Sequence, residues 1–173
     1  MIVDPVGPLA EQMLACLVGT LDAAEVPVCR AVWHPGAEVP WDACGQTVGG
    51  VEGQAWVAVR RVWPTDRFPA EPSGPQEREL TGMAVELRVG VLRCAATVDA
   101  SGHPPSPADV SADADKASRD RALTAHAIVC CALNDDASWM LGGWEPMGPQ
   151  GGCVGGAWTV TVWVPACICV EDD

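Results

Sequence analysis

The chain has 173 residues, 49% of them hydrophobic, which is enough for one domain with an apolar core. It carries 23 acidic against 10 basic residues, for a formal net charge of −13. Affinity for nucleic acid or for an anionic membrane comes from lysine and arginine, so this balance argues against both kinds of binding. Asp4 and Pro5 stand where a signal peptide would be basic, and no apolar run is long enough to span a bilayer. We therefore expect a protein that folds in the cytoplasm.

The first half of the chain predicts one helix and three strands. Apolar residues at helical spacing predict a helix over 8–21. Residues rich in β-branched and aromatic side chains predict strands over 28–33 and 54–63, separated by a glycine-rich loop over 37–53. Strict alternation of apolar side chains predicts a long, half-buried strand over 83–94.

The second half predicts a helix over 111–133, capped by Ser111 or Asp113, and a last strand over 157–164. Glycines and prolines over 142–156 predict a loop with at most a brief strand. This order predicts one α+β domain over 1–173, with a mostly antiparallel sheet of four to five strands and two helices packed on one face. An acidic, loosely ordered tail is expected from about residue 165.

Nine cysteines leave at least one thiol unpaired within a monomer. Cys29 and Cys44 flank a loop and could be joined by a disulfide. Cys94 ends the long strand and could pair with Cys131 or with Cys153. Reduced thiols throughout are the alternative, since a cytosolic protein keeps its cysteines reduced.

The usual signatures of catalysis and metal binding are missing from the sequence. No C-x-x-C pair is present, although structural zinc sites usually begin from one. His126 and Cys130 are four residues apart on the predicted second helix and could touch, but a buried cysteine is more often a small hydrophobe. The glycine-rich loop has no P-loop lysine. We therefore predict no catalytic, cofactor-binding or metal-binding residue, and we keep a zinc- or thiol-dependent small enzyme as an alternative.

Eight tryptophans are more than a small core needs, and tryptophan is a frequent anchor of protein interfaces. Trp163 alternates with valines and shares the polar side of its strand with Thr159 and Thr161. We predict Trp63, Trp144 and Trp163 as candidate anchors of a subunit interface, with an ordinary sheet surface as the competing interpretation.

Four segments carry a resemblance to a known family. They are P-L-A-x-Q-M-L over 8–14, V-G-V-L-R-C-A over 89–95, the cysteine pair at 130–131, and G-G-W-x-P-M-G-P-Q-G-G-C-V-G-G-x-W-T-V-T-V over 142–162. In these segments the chain resembles the tail-terminator proteins of long-tailed, siphovirus-type actinobacterial phages.

The resemblance implies a small α/β protein that forms a hexameric ring. Such a ring caps the head-proximal end of the tail tube, ends its polymerisation and joins the tail to the head connector. The implied partners are other copies of the chain, the major tail tube protein and the stopper protein, while DNA passes through the lumen without specific binding. The implied location is the neck of the virion after assembly in the host cytoplasm, without catalytic residues or cofactors. A head-side neck protein, either a stopper or an adaptor, is the alternative.

Overall fold

The computed structural model describes residues 4–36, 39, 41, 50–71, 82–133 and 138–165. The helices and strands in these ranges are α1 (Val6–Ala23), β1 (Arg30–His34), β2 (Gln54–Thr65), β3 (Gly82–Cys94), α2 (Pro107–Ala127), β4 (Trp139–Gln150) and β5 (Cys153–Pro165). A π-helical turn, Ile128–Ala132, continues α2. Most of the predicted loop over 37–53 and of the predicted acidic tail lies outside the described residues. Neither α1 nor α2 is long and apolar enough to cross a membrane.

The five strands form one sheet in the order β1-β2-β3-β5-β4. Only β1 and β2 run parallel, and the other neighbouring pairs are antiparallel. Both helices pack against the same side of this sheet, so the predicted α+β class is confirmed. β3 lies at the centre and pairs with β5 along its whole length, from Gly82 opposite Pro165 to Cys94 opposite Cys153.

The alternation in β3 decides which face becomes the core. Val85, Leu87, Val89 and Val91 are fully buried beneath the helices, as their period of two predicted. Burying one such side chain contributes about 1.5–3 kcal/mol, so this row is a main source of stability. The core side of α1 is likewise the predicted stripe, and its members are Met13, Leu17 and Leu21, with Leu9 and Cys16 at its margin.

Helix α2 begins at Pro107, so the predicted caps Ser111 and Asp113 both lie inside the helix and that prediction is wrong. Ser106 is the actual N-cap: its Oγ accepts from the Asp109 backbone N–H at 3.2 Å, and the Asp109 carboxylate accepts from the Ser106 N–H at 3.2 Å. This reciprocal capping box satisfies two backbone donors, and Pro107 suits the first turn because it has no N–H to leave unpaired.

The predicted loop over 142–156 is also wrong, because β4 and β5 form a hairpin there. Gly151 and Gly152 both have positive φ, 58° and 75°, which fits a tight two-residue hairpin turn. β4 is an edge strand with register shifts before Trp144 and before Gln150. Prolines and glycines are tolerated on such an edge, since a missing N–H can face outward.

Arg93, next to the last residue of β3, has a side chain that is almost completely buried, and it uses all five of its N–H donors. Nε and Nη2 donate to the two carboxylate oxygens of Asp120 at 2.9 and 3.1 Å. The remaining donors reach the backbone carbonyls of Pro27 at 2.7 Å, Val26 at 2.9 Å and Glu52 at 3.3 Å. Asp120 lies on α2 and has no solvent exposure. One side chain therefore joins the central strand to α2, to the segment after α1 and to the segment before β2.

We expect Asp120→Ala to lower the free energy of unfolding by about 3–5 kcal/mol, because it leaves a buried guanidinium without its counter-charge. Urea denaturation followed by tryptophan fluorescence measures the change. Asp115→Ala, at an exposed position of the same helix, is the matched control and should change stability by less than about 0.5 kcal/mol. Equal effects of the two substitutions would contradict the role given to the buried pair.

A second expectation concerns His34, which is buried and lies with its Nε2 3.0 Å from the amide nitrogen of Gln54. Burial, followed by the nearby charge of Arg30, lowers the pKa of His34 below its ordinary value of 6.5. Below pH 6.5 the unfolded chain therefore binds a proton that the folded chain does not, and stability falls as the pH drops towards the folded pKa. His34→Gln should reduce this slope, as measured by urea titrations at several pH values. The carboxylate contributions are common to both proteins, so an unchanged slope would contradict the prediction.

Candidate functional site

The sheet face opposite the helices, here called the outer face, carries charged and aromatic side chains on the C-terminal parts of β2 and β5 and on the N-terminal part of β3. The register places its residues in rows across the strands. The residues that define it are Arg60, Arg61, Trp63, Glu86, Arg88, Thr159, Thr161 and Trp163. The helix-facing side of the same strands is apolar throughout its centre, so the two faces differ sharply in chemistry.

The other end of the outer face is covered by a small apolar cluster. Trp56, Leu92 and Ala157 are buried there against Val39, with Trp41 and Met147 packed at the margin. The cluster closes one half of the face. The charged half has no comparable apolar cover within the described ranges.

A bulge in β2 brings two consecutive arginines to one carboxylate. The register shifts between Val59 and Arg61, and Arg60 is the inserted residue. Arg60 Nε lies 3.4 Å from Glu86 Oε1, and Arg61 Nη2 lies 3.4 Å from Glu86 Oε2. Glu71 forms a further ion pair with Arg61. Both arginines are about half exposed, so these ion pairs orient the side chains but contribute little to the free energy of unfolding.

The neighbouring carboxylates act on the pKa of Arg61. Partial desolvation alone would lower the pKa of Arg61, but the carboxylates of Glu86 and Glu71 outweigh it and raise that pKa above its ordinary value. Arg88 makes the equivalent pair on the β4 side, where its Nη2 donates to Glu145 Oε2 at 2.9 Å. Three arginines on this face are thus matched by three glutamates.

Two tryptophans flank Ala84 on the outer face. Trp63 and Trp163 are both register partners of Ala84, and both are half-buried. The Arg61 guanidinium lies over the Trp63 ring at 4.4 Å, a cation–π arrangement. The indole of Trp163 fills the space next to Gly82 that a Cβ would need, so glycine is required there.

Buried polar atoms without partners concentrate on the same face. Among the described residues six buried side-chain atoms lack a hydrogen-bond partner, and five of these belong to the outer side of β2 and β3. Gln54 Oε1 and Trp56 Nε1 lie in the half covered by the apolar cluster, and Trp63 Nε1, Arg88 Nε and Glu86 Oε1 lie in the charged half, where Glu86 Oε1 has only the ion pair with Arg60 at 3.4 Å. Such groups are rare in folded proteins, and each costs about 1–3 kcal/mol. Contacts within the described residues therefore leave these polar atoms without a hydrogen-bond partner from the protein itself.

The structure separates the three tryptophans predicted as interface anchors. Trp63 and Trp163 lie together on the outer face, as the alternation of β5 predicted for Trp163. Trp144 lies on the other side of the sheet, where its ring packs against Trp158 with centroids 5.9 Å apart. Trp158 in turn donates its Nε1–H to the Arg121 carbonyl of α2 at 2.9 Å. Trp144 therefore belongs to the helix side.

The predicted disulfides are corrected by the structure. Cys131 pairs with Cys16, with Cα atoms 5.7 Å apart, so its predicted pairing with Cys94 is wrong. The reason is that α1 lies beside the end of α2, whereas Cys94 lies at the end of β3. Cys94 is a thiol and is not bonded to Cys153, although Cys153 is its register partner. Burial first and then the charge of Glu52 raise the pKa of the Cys94 thiol.

Two further cysteines complete this correction. Cys153 is disulfide-bonded. Cys29 is a thiol that donates to the Gly53 carbonyl at 3.2 Å, so the predicted pair with Cys44 is not formed. Cys44 itself lies outside the described residues.

The alternative of a thiol- or zinc-dependent enzyme depends on His126 and Cys130, which are both exposed. Within the described ranges no three His, Cys, Asp or Glu side chains are grouped so that they could hold a metal ion. The sequence contained one signal for the charged outer face that the predictions did not use. Arg60 and Arg61 are adjacent in an otherwise apolar strand of a strongly acidic chain.

No protein-family model matches the chain, and no curated protein matches it. The resemblance to tail terminators is carried by the four sequence segments alone. We therefore infer a function from the charge, the tryptophans and the unpaired polar groups of the outer face.

Proposed function

We propose that the chain is a structural ring subunit at the head-proximal end of a phage tail tube, where it ends tube polymerisation and joins the tail to the head connector. The observation that carries this proposal is the outer face, which combines half-buried tryptophans, internally paired charges and unpaired buried polar atoms. These are the features of a contact surface, and the proposed role needs no catalytic group.

Charge favours the outer face as the contact between copies. Each copy carries a net charge of −13, so two copies repel each other over most of their surfaces. On the outer face Arg60, Arg61 and Arg88 balance Glu71, Glu86 and Glu145, and the local charge is close to zero. Repulsion is therefore weakest there, and electrostatic complementarity can select this orientation.

The tryptophans supply the apolar part of such a contact. Large aromatic side chains at the centre of an interface carry a disproportionate share of its binding energy. Trp63 and Trp163 lie in one row on either side of Ala84, and Arg61 covers one of the rings. A partner surface that covers this row would shield both indoles from water.

The remaining acidity fits the proposed ring. DNA phosphates bind where lysine and arginine neutralise them. Apart from the three arginines of the outer face, the chain has seven basic residues against 23 acidic ones. Such a surface lets DNA pass through a lumen without binding. In this proposal the further partners are the major tail tube protein and the stopper protein, and the location is the neck of the virion.

We expect the purified chain to form hexameric rings of the 18.1 kDa subunit, alone or when added to purified tail tubes. Mass photometry and negative-stain microscopy measure the copy number and the shape. Cryo-electron microscopy of whole virions then places the subunit against the last ring of the tube. A strict monomer that does not bind tail tubes would overturn the proposal, and a position against the portal would make it a head-side neck protein.

We expect Trp163→Ala to weaken self-association by roughly 30-fold or more, since truncating an anchor of this kind costs about 2 kcal/mol or more. Trp144→Ala is the matched control, because Trp144 is equally half-buried but faces the other side of the sheet. Sedimentation equilibrium of both variants measures the association constants, and circular dichroism checks that both fold. If the two variants lose association equally, the outer face is not the contact.

A further inference from the structure

The Cys16–Cys131 disulfide lies on the surface of the protein, at an open groove between α1 and the end of α2. Both cysteines line the groove, which has a volume of about 570 Å³. Cys131 is exposed and Cys16 is half-buried. Access is one of the factors that control attack on a disulfide, and exposed disulfides are the labile ones. The position of this bond therefore differs from that of a structural disulfide enclosed in a core.

Contacts other than the disulfide already hold the two elements together. Gln12 on α1 donates its side-chain amide to the Ala132 carbonyl at 3.1 Å. Met13, Leu17 and Leu21 of α1 belong to the same buried cluster as Ile128, beside the cysteines. A hydrogen bond and apolar packing therefore join α1 to the end of α2 in addition to the covalent bond.

The π-helical turn determines how the second sulfur is presented. The Leu133 N–H bonds to the Ile128 carbonyl at 3.2 Å, a spacing of five residues that widens the turn. Val129, Cys130 and Cys131 are consequently three exposed side chains in succession, between the buried Ile128 and Ala132. Cys130 is a free, exposed thiol next to the disulfide. Single π-helical turns inside helices occur frequently at functional sites.

We propose that the Cys16–Cys131 disulfide is a thiol–disulfide exchange site that low-molecular-weight thiols open and close in the folded protein. The thiolate of the small molecule attacks Sγ of Cys131, which is the more exposed of the two residues. The bond between the two cysteine sulfurs breaks, and Cys16 leaves as a thiolate that takes a proton from water. A second small thiol then attacks the mixed disulfide on Cys131. Two small thiols thus become one small-molecule disulfide, and the protein gains two thiols.

The groove fits this class of reactant. A volume of about 570 Å³ is in the range of small-molecule sites. Its lining of small and apolar side chains from Ala15 to Ala24 leaves the sulfurs reachable from solvent. His126 is the one imidazole among the residues that line the groove.

Opening the bond should weaken the attachment of α1 to α2 without unfolding the chain. The bond joins residues 115 positions apart, and a cross-link over so long a loop restricts the unfolded chain strongly. We expect reduction to lower the melting temperature by on the order of 10 °C. The reduced protein should retain its far-UV circular dichroism at room temperature.

The experiment incubates the oxidised full-length protein with millimolar reduced glutathione under native conditions. Iodoacetamide labelling and peptide mass mapping then follow Cys16, Cys130 and Cys131 separately. We expect Cys130 to be labelled from the start, and Cys16 and Cys131 to become labelled together while tryptophan fluorescence stays native. Replacing the reduced glutathione with oxidised glutathione should restore the bond, as the two protein thiols reduce one oxidised glutathione to two reduced molecules. A disulfide that stays closed until denaturant is added would overturn the proposal.

Asp120→Ala separates opening in the folded state from opening through global unfolding. This variant raises the unfolded fraction by a hundredfold or more. Exchange in the folded protein should proceed at nearly the same rate in both proteins, whereas exchange through the unfolded chain should accelerate with the unfolded fraction and would contradict the proposal. The result does not depend on ring formation, so it can fail or succeed independently of the proposed function.

Discussion

The buried pair of Arg93 and Asp120 is the interaction on which the arrangement of the other elements depends. A guanidinium without solvent is tolerated only when its charge and all its donors are matched, and here five acceptors match them. These acceptors come from α2 and from two connecting segments, at Val26–Pro27 and at Glu52. The pair therefore fixes where α2 crosses the sheet and where the chain enters β2. Any rearrangement of these segments would leave a buried charge unmatched.

Sequence patterns predicted the parts of the fold that apolar burial determines. The alternation over 83–94 and the helical stripe over 8–21 both became core, because a half-buried element needs one apolar face whatever its neighbours are. The errors lie where another force decides. Ser106 and Asp109 start α2 through mutual hydrogen bonds rather than through periodicity. β4 forms at the sheet edge, where the glycines and prolines of an apparent loop are tolerated.

The outer face was predictable only in part. The alternation of side chains along β5 was enough to place Trp163 on the other face of the strand from its valines, because alternation depends on a single strand. The meeting of Trp63 and Trp163 beside Ala84 depends on the register of three strands, and the contact of two arginines with Glu86 depends on a bulge. Neither can be read from one strand at a time. The Cys16–Cys131 pair also required tertiary information, because Cys16 lies within α1 and Cys131 lies in the turn that continues α2, 115 residues further along the chain.

Three links of different kinds attach α2 to the rest of the protein along its length. Near its start Asp113 accepts from the Ala96 backbone N–H at 2.7 Å, in its middle Asp120 holds Arg93, and beyond its end Cys131 is bonded to Cys16. The middle link is buried and is lost only with the fold. The last link lies at the surface, and its chemistry is reversible. Opening it would therefore remove the covalent link at the end of the helix, while the Gln12–Ala132 hydrogen bond and the buried pair keep the helix on the sheet. The outer face, on the other side of the sheet, would be unaffected by that change.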